Sequence, residues 1–156
     1  MSFKEELRRE PISCLPMRDA IKVHTGTLLR AAIAQMRSKS LGCTVIVDYS
    51  GIPLGIFTEH SVIAVLQKNV TLDDRTVEEF ADPGFFALKS SEPISRVWDA
   101  IERDEARFVC VTDDDGKLVG VTGQRGLAEY FADCFARVVT VQRLGSTPWM
   151  HQREGA

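Results

Sequence analysis

An internal repeat constrains the fold of this chain more than any other feature of its sequence. The first copy has apolar residues in the i, i+3, i+4, i+7 pattern of an amphipathic helix, at Leu29, Ala32, Ile33 and Met36. The second copy has the same pattern at Ile94, Val97, Trp98 and Ile101, each at one constant offset in the numbering. The two stretches align without a gap, so the sequence predicts two copies of one structural unit, each with a core-facing helix.

A predicted β-hairpin follows each of these helices. Its first strand covers 43–48 in one copy and 108–113 in the other. Both runs are apolar throughout, which indicates strands that are buried on both faces. The turns cover 49–51 and 114–116, and the returning strands cover 52–57 and 117–122. Asp115-Gly116 is a strong hairpin signal, and Pro53 favours a sheet edge or a strand start because proline cannot donate a ladder hydrogen bond.

A short strand before the first helix and a second helix after the hairpin complete the unit. The short strands are predicted at 20–23 and 86–88, and Thr27 is a candidate N-cap for the first helix. The unit therefore has the order β-α-β-β-α, with a crossover through a helix that is expected to be right-handed. Segments 12–15 and 77–80 are related by the same offset and predict a lead-in turn of helix for each copy.

The composition narrows the class of function. With 156 residues, 44% of them hydrophobic and 26% charged, the chain is a small globular protein without room for a separate catalytic domain. The net charge of -3 argues against nucleic acid or an anionic membrane as a partner. No segment has the length of a signal-peptide core or a membrane span, so we expect a cytoplasmic protein.

The sequence offers no candidate catalytic or metal site. The cysteines are widely scattered, without a Cys-x-x-Cys spacing, at Cys14, Cys43, Cys110 and Cys134. Cys43 and Cys110 lie in apolar runs and are interpreted as small buried hydrophobic residues. The acidic run 113–115 lacks the spaced ligands of a calcium loop and is interpreted as a solvated turn. Because there is also no nucleophile motif and no glycine-rich phosphate loop, no enzymatic activity is expected.

The repeated unit resembles the cystathionine-β-synthase (CBS) domain. The resemblance rests on a valine-rich strand that ends in Asp, a turn glycine, and a Gly-apolar-apolar-Thr segment that opens a helix. In the first copy it is carried by Val45-Ile46-Val47-Asp48 through Gly51 and by Leu54 through Ser61. In the second copy it is carried by Cys110-Val111-Thr112-Asp113 through Gly116 and by Leu118 through Val121. The resemblance covers about residues 12–134.

A tandem CBS pair, or Bateman module, is therefore the predicted organisation. The expected divisions are CBS domains at 12–69 and 77–134, a helical lead-in at 1–11 and a flexible tail at 143–156. The resemblance implies an α+β fold in which the two β-α-β-β-α repeats pack sheet against sheet about a pseudo-twofold axis. It also implies that pairs dimerise into a flat disc.

The same resemblance implies a regulatory ligand and no catalytic cofactor. Adenosine-containing compounds such as AMP, ATP or S-adenosylmethionine bind CBS pairs in the clefts between the copies. We therefore expect a homodimeric sensor that binds such a ligand and modulates an unknown effector protein. The alternative is a ligand-free homodimeric interaction scaffold.

The residues of the family's ligand pattern are only partly present. In that pattern a Thr at the start of the final helix contacts a phosphate, and an Asp three residues later binds the ribose. The first copy has Thr58 and Ser61 at these positions, whereas the second copy has Gly123 and Gly126. The second cleft is therefore the weaker candidate, and the absence of the Asp from both copies supports the scaffold alternative.

The candidate ligand-binding residues are Thr58, His60, Ser61, Ile21, Val23, Thr25 and Arg125. Ile21 and Val23 would offer an apolar surface to the base, and Thr25 follows them at the end of the same strand. His60 and Arg125 stand one residue before the Asp position and could contact a phosphate. The plainer interpretation of Thr58 is a helix N-cap, and we expect ligand binding to be an additional role. Thr25 has the chemistry of a helix start, and His60 and Arg125 are equally solvated helix side chains.

Overall fold

Two three-stranded sheets, one from each copy of the repeat, form the centre of the molecule. The computed structural model describes residues 2–145, with side chains for residues 2–137. The strands are β1 (Lys22–His24), β2 (Cys43–Val47), β3 (Pro53–Thr58), β4 (Ala87–Lys89), β5 (Phe108–Thr112) and β6 (Leu118–Gly123). The helices are α1 (Phe3–Arg9), α2 (Leu29–Lys39), α3 (Glu59–Gln67), α4 (Ser95–Asp104) and α5 (Gln124–Gly145), with 3-10 turns at Ile12–Cys14 and Val77–Phe80.

The two sheets have the same topology and register. In each, a central strand pairs in parallel with the short first strand and antiparallel with the returning strand, in the orders β1-β2-β3 and β4-β5-β6. The partners Val23↔Ile46 in the first sheet correspond to Leu88↔Val111 in the second, again related by the offset of the repeat. The predicted α+β fold of two β-α-β-β-α repeats is thus confirmed.

The hairpin turns show why Asp and Gly occupy the same places in both copies. Asp48 Oδ1 accepts hydrogen bonds from the backbone N–H groups of Ser50 (2.8 Å) and Ile52 (2.9 Å), and Asp113 Oδ1 does the same in the second turn. The turn glycines Gly51 and Gly116 have φ values of +88° and +84°, which only glycine adopts without strain. Within the acidic run 113–115, the Asp113 carboxylate therefore holds the turn, while Asp114 Oδ1 accepts a hydrogen bond from Ser91 Oγ at 3.3 Å.

The central strands are buried on both faces because each face meets a different core. Val45 and Val47 of β2 pack in a cluster between the sheets, together with Cys110 and Val121 of the second copy. Ile46, between them, points into the core of the first copy. This alternation explains why an unbroken apolar run forms a strand at the interface of two domains.

The two lead-in segments, 12–20 and 77–85, each consist of a 3-10 turn and the chain that joins it to β1 or β4. They are exchanged between the copies. Ile12, in the lead-in to the first copy, packs in the core of the second copy, and its N–H donates to Glu92 O at 2.8 Å. Val77, in the lead-in to the second copy, packs in the core of the first, and its N–H donates to Thr27 O at 2.9 Å. The exchange joins the domains, and it was not predicted from the sequence.

The structure also differs from the sequence-based expectations at two helix ends. Thr27 is not the N-cap of α2, because its hydroxyl donates to His24 O at 2.7 Å in the turn after β1, and Leu28 takes the cap position. Helix α5 continues to Gly145. Apart from 143–145, which belong to this helix, the tail predicted at 143–156 lies outside the described residues.

Candidate functional site

A cleft of about 370 Å³ lies between the two copies, where β6 ends and α5 begins. Four stretches of chain and one helix residue line it: 16–20 from the first lead-in, 41–43 before and at β2, 107–108 at the start of β5, 121–126 at the β6–α5 junction, and Glu129. The cleft therefore takes walls from both copies. Its position at the beginning of the second copy's final helix corresponds to the second of the two clefts predicted from the repeat.

The first lead-in forms one wall of this cleft by pairing with β6. Arg18 and Val121 exchange two backbone hydrogen bonds of 3.0 Å, and Thr122 Oγ1 donates to Pro16 O at 3.3 Å. These bonds extend the second sheet by a short antiparallel bridge. The exchanged lead-in is thus a fixed part of the site.

Two glycines make this close packing possible. A Cβ at Gly123 would collide with the carbonyl oxygen of Arg107. A Cβ at Gly126 would collide with Thr122 Oγ1 and would lie 2.8 Å from Pro16 O. The Thr and Asp of the family pattern therefore have no room at these positions, and any ligand must be held by other side chains.

Three cationic and two anionic residues are among those that line the cleft. The cations are Arg18, Arg107 and Arg125, and the anions are Asp19 and Glu129. Arg125 Nε donates to Glu129 Oε1 at 3.1 Å on the exposed surface of α5. The helix begins at the cleft, so the positive end of its dipole adds to the three guanidinium charges. The electrostatic character of the cleft suits an anion.

The corresponding position in the first copy is closed by a side-chain contact. The hydroxyl of Thr58, which is 4% exposed, donates to Asp82 Oδ2 at 2.9 Å. Asp82 is held in turn by the N–H of Gly84 at 2.8 Å, and its own N–H donates to Ile56 O at 2.7 Å. Asp82, in the second lead-in, therefore engages the hydroxyl that the family pattern assigns to a ligand phosphate.

Thr58 and Ser61 form a reciprocal capping box at the start of α3. The Ser61 N–H donates to Thr58 Oγ1 at 3.3 Å, and the Thr58 N–H donates to Ser61 Oγ at 3.1 Å. The capping interpretation of Thr58 is therefore what the structure shows. Ligand binding by Thr58 and Ser61 stays a prediction, and it would require Asp82 to move.

The other predicted site residues lie apart from one another. Ile21 and Val23 are 2% and 4% exposed and offer no surface to a base in this conformation. His60 and Thr25 are exposed, on α3 and in the turn after β1. Arg125 alone among the predicted residues lines the cleft, where the structure brings it together with residues that the sequence analysis did not select.

The missed lining residues include Arg18, Asp19 and Arg107. None belongs to the Thr-x-x-Asp pattern, and the first two are on a lead-in whose exchange between copies has no signature in the repeat itself. The sequence nevertheless contained a signal that Arg107 and Arg125 lie close together, because Arg107 directly precedes the buried strand β5 and Arg125 closely follows β6. Antiparallel pairing of these strands brings the two arginines to the same end of the sheet.

Cys43 also lines the cleft but offers no reactive thiolate. Burial raises the pKa of its thiol to about 12, and burial does the same for the pKa of Cys110 in the cluster between the sheets. Within the described side chains no group of three or more His, Cys, Asp or Glu is placed to hold a metal ion. None of the helices described is both long enough and apolar enough to span a membrane.

The match to protein-family models identifies the class of this chain. The CBS domain model matches twice, at residues 12–68 and 77–133, which together make up well over half of the sequence. The chain belongs to the CBS domain family and contains two CBS domains in tandem. A search of curated proteins found no significant match.

Solved structures of CBS pairs share the fold. The CBS domain protein PAE2072 from Pyrobaculum aerophilum, complexed with AMP, is 19% identical with a TM-score of 0.70, over 88% of this chain and 100% of that one. The CBS pair of MJ0100, in complex with 5′-methylthioadenosine and S-adenosyl-L-methionine, is 20% identical with a TM-score of 0.69, over 80% and 97%. CBSX2 in complex with AMP is 17% identical with a TM-score of 0.67, over 80% and 97%. At these identities the similarity shows the fold alone.

Proposed function

We propose that this CBS pair is a regulatory module that binds an adenosine-containing ligand and passes the signal to a partner protein. The observation that carries the proposal is the cleft at the start of α5, with walls from both copies. Its volume of about 370 Å³ lies within the range of ~300–1,000 Å³ typical of small-molecule sites. Adenosine compounds bound to PAE2072, MJ0100 and CBSX2 support this ligand class.

The geometry of the cleft gives a physical route for signalling. A ligand seated there would touch the first lead-in, the β6–α5 junction and the starts of β2 and β5 at the same time. It would thereby stabilise one packing of the two copies over others, which is the requirement for a ligand to shift a conformational equilibrium. A partner that contacts both copies would sense that shift.

A thermal-shift panel of AMP, ADP, ATP, 5′-methylthioadenosine and S-adenosylmethionine tests the proposal. A ligand at 100 times its dissociation constant stabilises the native state by about 2.7 kcal/mol, which raises the melting temperature measurably. We expect a concentration-dependent rise with at least one compound. The variant Met17→Trp places a large side chain in the wall of the cleft and should abolish the rise.

The matched control is Leu54→Trp, which adds the same side chain at an exposed position of β3 that is not among the cleft residues. It should respond to ligand as the wild type does. Equal loss in both variants, or no rise with any compound on a folded protein, would contradict the proposal.

The interaction-scaffold alternative keeps one observation in its favour, the closed position around Thr58 and Asp82.

A homodimer is compatible with either function. Exposed apolar side chains on two helices supply a candidate interface, with Leu66 of α3 70% exposed and Phe135 of α5 67% exposed. Light scattering on a size-exclusion column should give a dimer mass for the wild type and a monomer mass for Leu66→Glu. A monomeric wild type would contradict this proposed assembly.

A further inference from the structure

We propose that the cleft at the start of α5 selects phosphorylated adenosines over uncharged or sulfonium-bearing ones, and that each chain binds one such ligand there. This inference rests on the proposed adenosine-binding function and specifies it. The selecting residues are Arg18, Arg107 and Arg125, which line three different walls of the same cleft, and their guanidiniums would contact the phosphate.

The arginine cluster belongs to one cleft of the pair. The repeat places Pro83 at the position of Arg18, Gly42 at that of Arg107 and His60 at that of Arg125. None of these three counterparts carries a permanent positive charge. The two clefts are therefore electrostatically different, although the backbone elements around them correspond.

The arginines are available to an incoming anion. Arg18 and Arg107 are exposed, and neither forms an ion pair with another residue whose side chain the structure describes. Arg125 uses Nε to bind Glu129, and a guanidinium has four further N–H donors on its terminal nitrogens. Because guanidinium and phosphate form paired, charge-assisted hydrogen bonds, three arginines around one cavity favour a phosphate over a neutral group.

The opposing carboxylates do not cancel this preference. Asp19 and Glu129 are the anions that line the cleft, and Glu129 is already engaged by Arg125. A sulfonium group would add a fourth positive charge to a site with two carboxylates. A nucleotide phosphate would instead meet the arginines and the positive end of the α5 dipole.

A stoichiometry of one follows from the closed state of the other position. Thr58 Oγ1 donates to Asp82 and cannot donate to a ligand at the same time. Asp82 also places a carboxylate where the family pattern places a phosphate, so an anion there would meet a like charge. The first copy therefore stays empty at ligand concentrations that fill the second.

Isothermal titration calorimetry with AMP, adenosine, 5′-methylthioadenosine and S-adenosylmethionine tests the inference on the full chain. We expect one site per chain, AMP binding at least about tenfold tighter than adenosine, and a weakening of AMP binding with added salt. Arg18→Gln with Arg107→Gln should lower AMP affinity roughly tenfold to a hundredfold and lower adenosine affinity by less than about threefold. Both residues are exposed, so the double variant should keep the melting temperature of the wild type.

The control is Lys89→Gln with Lys117→Gln, which removes the same charge at two exposed positions, the last residue of β4 and the residue just before β6, at the opposite end of the second sheet from the cleft. It should bind AMP as the wild type does, and an equal loss in this variant would overturn the assignment to the arginines. Adenosine or S-adenosylmethionine binding as tightly as AMP would overturn the selectivity while leaving the adenosine-binding function intact. Failure of every adenosine compound to bind would overturn both.

Discussion

The two copies of the repeat use one backbone plan to make two different clefts. In the first copy, Thr58 and Asp82 meet and close the position at the start of α3. The corresponding residues of the second copy are Gly123 and Met17, which cannot form that bond, and the position at the start of α5 is open. The difference teaches that duplication preserved the strands and helices, while two pairs of equivalent positions, 58 with 123 and 82 with 17, determine whether a side-chain bond forms at the start of the final helix.

A single proline contributes to the same difference. Arg18 pairs with Val121 through both its N–H and its carbonyl group, and this holds the first lead-in along β6. Pro83 stands at the equivalent place in the second lead-in and has no N–H, so the bond to Ile56 O comes from Asp82 instead. This backbone bond brings the Asp82 carboxylate within hydrogen-bond distance of the Thr58 hydroxyl.

The largest expected effect tests the exchanged lead-ins on which this comparison depends. Ile12 is completely buried in the core of the second copy, so Ile12→Ala should lower the free energy of unfolding by about 2–5 kcal/mol. Urea denaturation followed by circular dichroism measures this loss. Ile63→Ala, at an exposed position of α3, is the control and should change stability by less than about 0.5 kcal/mol. Similar losses in both variants would show that the lead-in is not part of the core.

The next effect sharpens the contrast between the clefts by adding a Cβ to the second one. Gly126→Ala should cost about 1–3 kcal/mol, because the new methyl group meets Thr122 Oγ1 and Pro16 O. Gly55→Ala in β3 is the matched change, since its nearest neighbours lie at an ordinary 3.7 Å. Chemical denaturation measures the free energy of unfolding of both variants. A smaller loss at Gly126 than at Gly55 would contradict the close packing of Gly126 against Thr122 and Pro16.

The strands, helices and buried faces could be predicted because they depend on periodicity, and the repeat supplied each pattern twice. The open cleft could not be predicted from the sequence, because it forms only when the first lead-in packs against the second copy. Nothing in segment 12–15 distinguishes packing on its own copy from packing on the other. The prediction also favoured the first cleft because Thr58 fits the family pattern, whereas the group that engages Thr58 is Asp82, far along the chain in the second lead-in.

A smaller effect is expected from breaking the bond that closes the first cleft. Asp82→Ala frees the Thr58 hydroxyl and should lower the free energy of unfolding by roughly 1 kcal/mol. If this contact alone keeps the position closed, calorimetry should measure a stoichiometry of two adenosine-containing ligands per chain in place of one. A stoichiometry that stays at one would mean that segment 81–84 closes the cleft through its backbone. Asp115→Ala, an exposed acidic position in the second hairpin turn, should leave the stoichiometry unchanged and change the free energy of unfolding by less than about 0.5 kcal/mol.

The last effect concerns the cluster between the sheets, which both copies share, and it is visible only at high pH. Burial raises the pKa of Cys43 and Cys110 from 9.0 to about 12, so the folded state retains protons that the unfolded state loses above pH 9. Stability from these thiols is therefore complete below about pH 9 and falls as the pH rises towards 12, by about 1 kcal/mol per thiol at pH 10. Urea denaturation at pH 8 and pH 10 measures the fall in the free energy of unfolding. The double variant Cys43→Ala, Cys110→Ala should show a smaller fall, because it lacks the two thiols and only the other groups that titrate in this range contribute. An identical pH dependence in both proteins would mean that the two thiols are in contact with water. The cluster that both copies share would then not be buried between the sheets.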